Sequence, residues 1–122
     1  MFNEKEKNIN KIETLIGEQC TINGSIQGEG LMKIDGSIEG DIIWQDDVVI
    51  GATAFCKSNI NCKSAFINGK VQGNVICENT LTLESLGKIT GDIIVKNLVI
   101  KEGGSLDGKC TMVLPKKADE AL

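Results

Sequence analysis

The sequence predicts an all-β fold, a single parallel β-helix of about six triangular coils, and three observations carry that expectation. First, a pattern reading apolar, any residue, Gly, Asp or Asn, apolar recurs as Ile38-Glu39-Gly40-Asp41-Ile42, Val71-Gln72-Gly73-Asn74-Val75 and Ile89-Thr90-Gly91-Asp92-Ile93. Looser copies are Ile22-Asn23-Gly24-Ser25-Ile26, Cys56-Lys57-Ser58-Asn59-Ile60 and Leu106-Asp107-Gly108-Lys109-Cys110. The third positions fall at 24, 40, 58, 73, 91 and 108, in steps of 16, 18, 15, 18 and 17, so one structural unit is stacked on itself. Second, apolar and polar residues alternate within each unit, as in Ile34-Asp35-Gly36-Ser37-Ile38-Glu39, and helical spacing is sustained nowhere. Third, 41% of the 122 residues are hydrophobic, yet there are only three Phe, one Trp and no Tyr, so the core is built from β-branched and small side chains.

Taken in chain order, residues 1–12 are expected to be a flexible tail, 13–114 the β-helix domain and 115–122 a second flexible tail. Cutting after each marker gives coils 25–40, 41–58, 59–73, 74–91 and 92–108, with partial turns at either end. Each coil should hold three strands of about five or six residues, with like residues above one another at the ~4.8 Å strand spacing. Four apolar columns follow. They are Ile22, Ile38, Cys56, Val71, Ile89 and Leu106; Ile26, Ile42, Ile60, Val75, Ile93 and Cys110; Ile16, Ile34, Ile50, Ile67, Leu83 and Ile100; and Trp44, Cys62, Cys77, Val95 and Met112. Burial of each Ile or Val contributes ~1.5–3 kcal/mol. The Gly-Asp and Gly-Asn pairs mark corners, where Gly provides the backbone conformation and Asp or Asn bonds local amides. Ser58 replaces Gly in the third copy, which makes that coil the least regular.

The formal net charge is -4, with 13 Lys plus Arg spread thinly, so no basic field for nucleic acid is present. The five Cys, at 20, 56, 62, 77 and 110, include no C-x-x-C pair, and the chain has no His to complete a zinc site. They read as reduced thiols acting as small apolar residues, with Cys62 and Cys77 neighbours in one column. The start of the chain lacks an apolar signal region, and no apolar run approaches the ~18 residues of a membrane-spanning helix, so a cytoplasmic protein is expected.

Enzyme readings lack their residues. Left-handed hexapeptide acyltransferases step by six and typically use a catalytic His; pectin-degrading β-helices have longer coils and carboxylate or metal clusters. Asp46-Asp47, the adjacent carboxylate pair within the repeats, reads as a solvated turn. Neither a phosphate-cradling Gly loop, a calcium-type repeat nor a regular row of outward Thr is present. The expectation is therefore no enzyme, no cofactor, no metal and no catalytic residue. The rival binding class is a non-polymerising scaffold whose flat sides dock other proteins.

Thr14-Leu15-Ile16-Gly17-Glu18 at the start, Ile34 to Ile42 within, and Ile100-Lys101-Glu102-Gly103-Gly104-Ser105-Leu106-Asp107-Gly108-Lys109-Cys110 at the end together resemble the bactofilins, over about residues 13–114. The resemblance implies right-handed coils and a bacterial cytoskeletal protein that polymerises without nucleotide, its subunits joined head to head into non-polar filaments. It further implies a place at the inner face of the cytoplasmic membrane and the recruitment of cell-wall or chromosome-organising proteins. A β-helix without a lid leaves an apolar section and unpaired strand edges at both ends. The expected contacts are Leu15, Ile16, Ile22 and Ile26 at one end and Leu98, Ile100, Leu106, Cys110 and Met112 at the other. Leu106 stands where the family commonly carries an aromatic residue. The start, Met1-Phe2-Asn3-Glu4-Lys5-Glu6-Lys7, resembles the family's membrane-targeting segment: Met1 and Phe2 would enter the interface while Lys5 and Lys7 meet lipid headgroups.

Overall fold

The structure, a computed structural model, describes residues 12–113. The first three coils hold β1 (Ile12–Ile16), β2 (Thr21–Asn23) and β3 (Ile26–Gly28); β4 (Leu31–Ile34), β5 (Ser37–Glu39) and β6 (Ile42–Trp44); then β7 (Val48–Ile50), β8 (Phe55–Lys57) and β9 (Ile60–Cys62). The last three hold β10 (Ala65–Ile67), β11 (Lys70–Gln72) and β12 (Val75–Cys77); β13 (Thr80–Leu83), β14 (Lys88–Thr90) and β15 (Ile93–Val95); then β16 (Asn97–Ile100), β17 (Ser105–Asp107) and β18 (Cys110–Met112). Every third strand pairs in parallel, which produces three six-stranded sheets: sheet 1 from β1 to β16, sheet 2 from β2 to β17 and sheet 3 from β3 to β18. This is the triangular β-solenoid of about six coils that the period predicts. Strands are shorter than the expected five or six residues, mostly three, because the corners take up the remainder of each coil.

The predicted columns are the register of the sheets. Ile22, Ile38, Cys56, Val71, Ile89 and Leu106 align along sheet 2. Ile16, Ile34, Ile50, Ile67, Leu83 and Ile100 align along sheet 1, and Ile26, Ile42, Ile60, Val75, Ile93 and Cys110 along sheet 3. A further inward column, Thr14, Met32, Val48, Ala65, Leu81 and Leu98, was not anticipated, because its side chains differ too much in size and polarity to read as a repeat. The core formed by these columns is dry, with Ile34, Ile38, Ile42, Ile50, Ile67 and Ile93 fully buried.

Corner length explains why the period alternates. Between sheets 2 and 3 each corner is two residues, 24–25, 40–41, 58–59, 73–74, 91–92 and 108–109, which is why the Gly markers keep register with the columns. Between sheets 1 and 2 the corner is two residues at 35–36 and 68–69 but four at 17–20, 51–54, 84–87 and 101–104, and the long form closes on itself through Cys20 N to Gly17 O (3.0 Å), Ala54 N to Gly51 O (3.0 Å), Gly87 N to Glu84 O (2.9 Å) and Gly104 N to Lys101 O (2.9 Å); the corners between sheets 3 and 1 vary as well, from one residue at 96 to three at 45–47. The invariant corner needs Gly for two reasons. Its φ is +141° at Gly40, +145° at Gly73 and +146° at Gly91, and a Cβ there would strike the carbonyl of Gly24, Ser58 or Gly73 in the preceding coil. Ser58 departs from this: it has no positive φ, is buried, and its Oγ finds no hydrogen-bond partner.

The Asx side chains do not bond local amides as expected. Three of them reach the next coil instead: Asn59 Oδ1 accepts from Asn74 N (3.0 Å), Asn74 Oδ1 from Asp92 N (3.0 Å) and Asp92 Oδ1 from Lys109 N (3.1 Å). The physical reason is that local amides are already taken. Beside Asn74, for example, Gly73 N donates to Thr90 O (2.9 Å) and Val75 N to Asp92 O (3.0 Å), so the side chain meets the amide of the next corner, a strand spacing away. Asp46 is likewise only half-buried rather than a solvated turn residue, because its Oδ2 accepts from Gly30 N at 2.6 Å.

Gly91→Ala should therefore lower stability by about 1–3 kcal/mol, seen as a fall of at least about 4 °C in thermal midpoint. An unchanged midpoint would show that the corner relaxes without cost.

Candidate functional site

No group of three or more His, Cys, Asp or Glu able to hold a metal occurs among the described residues, nor any helix long and apolar enough to cross a membrane. The thiols are packing groups. Cys56, Cys62 and Cys77 are buried and unbridged, Cys110 is half-buried and Cys20 exposed. Cys62 and Cys77 do approach closely, as the column predicts, with Sγ to Sγ at 3.7 Å. Hydrogen bonding to Cys77, reinforced by burial, holds the Cys62 thiol well above the ordinary thiol range, while burial pushes Cys56 up to about 12. A folded-state pKa raised in this way stabilises the fold below the unfolded value of 9.0 and ceases to do so as pH climbs toward 12. Urea midpoints should accordingly fall between pH 9 and 12, and the pair of substitutions Cys56→Val and Cys62→Val should flatten that fall. A decline of unchanged slope would remove the thiols as its cause.

What the solenoid leaves unsatisfied is its two ends. At the C-terminal end, β16, β17 and β18 are the last strands of their sheets, and no described strand pairs with their outer edges. Their inward residues Leu98, Ile100, Leu106, Cys110 and Met112 are the final members of the columns. Ile100 is 47% and Met112 51% exposed, against full burial of Leu83, one coil below Ile100. Leu98, Leu106 and Cys110 are partly buried and packed on the core. Val113, next to inward Met112 and just past the end of β18, is 48% exposed.

The N-terminal end is built differently. Ile22 and Ile26 stand half-buried on the face as expected, but Ile16 is buried at 5%, and Leu15 points outward from sheet 1 in register with Lys33, not into the end section. The reason for Leu15 is the strand period: its neighbours Thr14 and Ile16 occupy the inward positions, so Leu15 must face out. The column that ends in Met112 begins here with Gly28, and a Cβ at Gly28 would strike the Trp44 ring. The indole occupies that space, donating from Nε1 to Gly30 O at 2.5 Å. The end is thus partly closed from within by a side chain of the second coil.

Charge separates the ends too. Residues 12–30 carry Glu13, Glu18 and Glu29 and no Lys, a formal charge of -3. Residues 96–113 carry Lys96, Lys101 and Lys109 against Glu102 and Asp107, a formal charge of +1. Met1, Phe2, Lys5 and Lys7 lie outside the described residues.

Parallel coils stacked into three sheets, whose terminal strands have no further partner among the described residues, define a β-solenoid with an edge at each end able to pair a further strand. The family pattern of the bactofilins, described as polymer-forming cytoskeletal proteins, matches residues 14–111, and the chain belongs to that family. It is 25% identical over 104 residues to bactofilin BacO of Myxococcus xanthus (strain DK1622), covering 85% of this chain and 82% of BacO. To bactofilin BacP of the same organism it is 26% identical over 99 residues, which is 81% of this chain but 41% of BacP. Its fold is similar to that of Thermus thermophilus bactofilin, solved as double helical filaments by cryo-EM (TM-score 0.73, 20% identity, 84% of this chain and 99% of that one). It is similar also to the cytoskeletal bactofilin BacA solved by solid-state NMR (TM-score 0.75, 24% identity, 83% and 96%).

Proposed function

We propose that this chain polymerises end to end, without nucleotide, into non-polar filaments that lie on the inner face of the cytoplasmic membrane and serve as a scaffold for other proteins. The observation that carries the reading is the C-terminal end face, where the apolar columns stop at Ile100 and Met112 with nothing described above them. A second copy placed there covers the apolar section and pairs the free strand edges. No nucleotide is needed, because the assembly is driven by burial and hydrogen bonding already present in every coil.

Like-to-like joining has support from Lys109. It stands where Asn59, Asn74 and Asp92 accept an amide from the coil above, and its ammonium accepts nothing, so the side-chain ladder has no continuation into a copy stacked in the same direction. Two different isologous joints, one at each end, propagate an open fibre. The acidic first coil opposes its own copy, whereas the C-terminal joint is apolar, so the C-terminal joint is the stronger of the two.

Leu106→Arg puts a charge on the C-terminal face and should leave short soluble species in which Cys110 reacts with a thiol reagent, while wild-type filaments protect it. Normal filaments of the variant in negative-stain micrographs would reject this end contact.

The N-terminal segment adds membrane attachment. Met1 and Phe2 supply a weak apolar anchor and Lys5 and Lys7 attraction to anionic lipid, and a filament repeats both along its length, so avidity converts a marginal anchor into a stable one. Filaments should pellet with anionic liposomes, and those lacking residues 1–7 should not. Equal pelleting of the two would remove the segment from the mechanism.

A further inference from the structure

We propose that a notch on the outer face of sheet 2 docks an acidic peptide segment of a partner protein, an inference that rests on the scaffold part of the proposed function and names the chemistry of what is recruited. The faces of the solenoid differ in what they turn outward. Sheet 3 presents Ile43, Ile76 and Ile94 in one row and sheet 1 presents Val49, Phe66 and Val99, so those sides are mainly apolar. Sheet 2 is the charged side. Its strands β8, β11 and β14 turn out Phe55, Lys57, Lys70, Gln72, Lys88 and Thr90, three Lys and no acid in a chain of formal charge -4. Glu39, one coil before, and Asp107, one coil after, bound this patch.

The shape of the notch comes from corner lengths. The two-residue corner 68–69 lies between the four-residue corners 51–54 and 84–87, so the fourth coil is recessed where sheets 1 and 2 meet. Two concavities of about 310 and 390 Å³ adjoin there and share Phe55 and Lys70. Lys88, Gln72 and Thr90 complete the lining of the first, and Thr53 of the long corner stands in the second.

The charges in the notch are uncompensated. Lys70 and Lys88 are partners in register, a strand spacing of ~4.8 Å apart, and neither has an ion pair among the described residues. Carboxylates around them are already committed, Glu39 to Lys57 at 3.8 Å and Glu84 to Lys101 at 3.1 Å. Like charges directly opposite on neighbouring strands repel, and a carboxylate placed between the two ammoniums relieves that repulsion through charge-assisted hydrogen bonds. Gln72 and Thr90 add neutral donors and acceptors for a peptide backbone. Phe55, whose ring centroid lies 5.9 Å from the Lys57 ammonium, offers an aromatic platform for an apolar side chain.

These groups set the ligand. In an extended segment laid across the strands, side chains on one face recur every ~6.6 Å, and the flexible Lys stems span the difference from one coil to the next. The fitting segment carries two acidic residues at alternate positions followed by an apolar one, to meet Lys88, Lys70 and Phe55 in turn. An anionic bilayer suits the site less well: it is flat where the site is recessed, and it would meet Glu39 and Asp107 at the ends of the same face. The notch lies on the third to fifth coils, so joints at the first and last leave it open, and each subunit of a filament offers one. A single notch is a small contact, and a partner bearing several such segments gains its hold by avidity.

The probe is a fluorescein-labelled peptide with two Asp and one Leu at alternate positions among Ser. Fluorescence anisotropy with the full chain is expected to show saturable binding that weakens as salt is raised. Lys70→Glu and Lys88→Glu should each weaken it severalfold at an unchanged thermal midpoint, whereas Lys63→Glu, the same charge change in a corner between sheets 3 and 1, should leave it as it is. Equal affinity of the wild type and both notch variants, or an equal loss with Lys63→Glu, would overturn the site. Undiminished binding of the same peptide with Asn in place of Asp would do so as well. Pelleting with phosphatidylglycerol vesicles that persists without residues 1–7 and is lost in Lys88→Glu would assign the face to lipid and overturn it equally. The notch and the scaffold fail separately: normal filaments that bind no peptide would overturn the notch alone, and peptide binding by a chain that forms no filament would overturn the filament scaffold alone.

Discussion

Everything in this molecule follows from one requirement: in a parallel stack, each residue lies a strand spacing from the residue one coil below it. An inward position filled by Ile in one coil must be filled by something of similar shape in the next, or the column opens a cavity or a clash. Ile34 on Ile50 on Ile67 satisfies this directly. The same requirement strips the side chain from Gly40, Gly73 and Gly91, where the backbone of the preceding corner occupies the place of a Cβ. It also aligns Asn59, Asn74 and Asp92 so that each side-chain oxygen accepts from an amide one coil above. Coil length is free to vary between the columns, and it varies in the corners between sheets 1 and 2 and between sheets 3 and 1.

A stack of this kind satisfies every coil except the first and the last. Among the described residues the terminal coils have the same kind of strand edges as the others, but a neighbouring coil on one side only. Function in this family is assembly, and the surface that assembles is the interior of the solenoid, cut across. The two cuts are not equivalent. Trp44 fills the space that Gly28 leaves at one end, whose coil carries three Glu and no Lys; at the other, Ile100 and Met112 stand half-exposed. One end is partly sealed and acidic, the other apolar.

Much of this was legible in the residues. The columns of Ile, Val and Cys fixed the register before any coordinate, because a spacing repeated six times in apolar positions has one parallel solution. The C-terminal face was legible for the same reason: its members are the last entries of columns already defined. Three things were not. The column from Thr14 to Leu98 mixes Thr, Met, Val, Ala and Leu, and shape-matching there is achieved between neighbours of different size, which no pattern reveals. Leu15 was placed on the end face although strand alternation between Thr14 and Ile16 turns it outward. The sheet 3 row had a signal, since Ile42-Ile43, Val75-Ile76 and Ile93-Ile94 each break the alternation of apolar and polar, but an apolar doublet alone does not say which member faces the core.

The sequence by itself determined the period, the columns of Ile, Val and Cys, the two-residue corner that carries Gly in five of its six copies and the absence of helical packing, since each is a property of spacing along one chain. Only the tertiary structure decided which side chains meet between coils. That the Asx groups bond upward, that an indole closes one end and that three isoleucines line an outer face all depend on where one coil lies relative to the next, and that offset is set by corner lengths and backbone contact rather than by any residue's own preference.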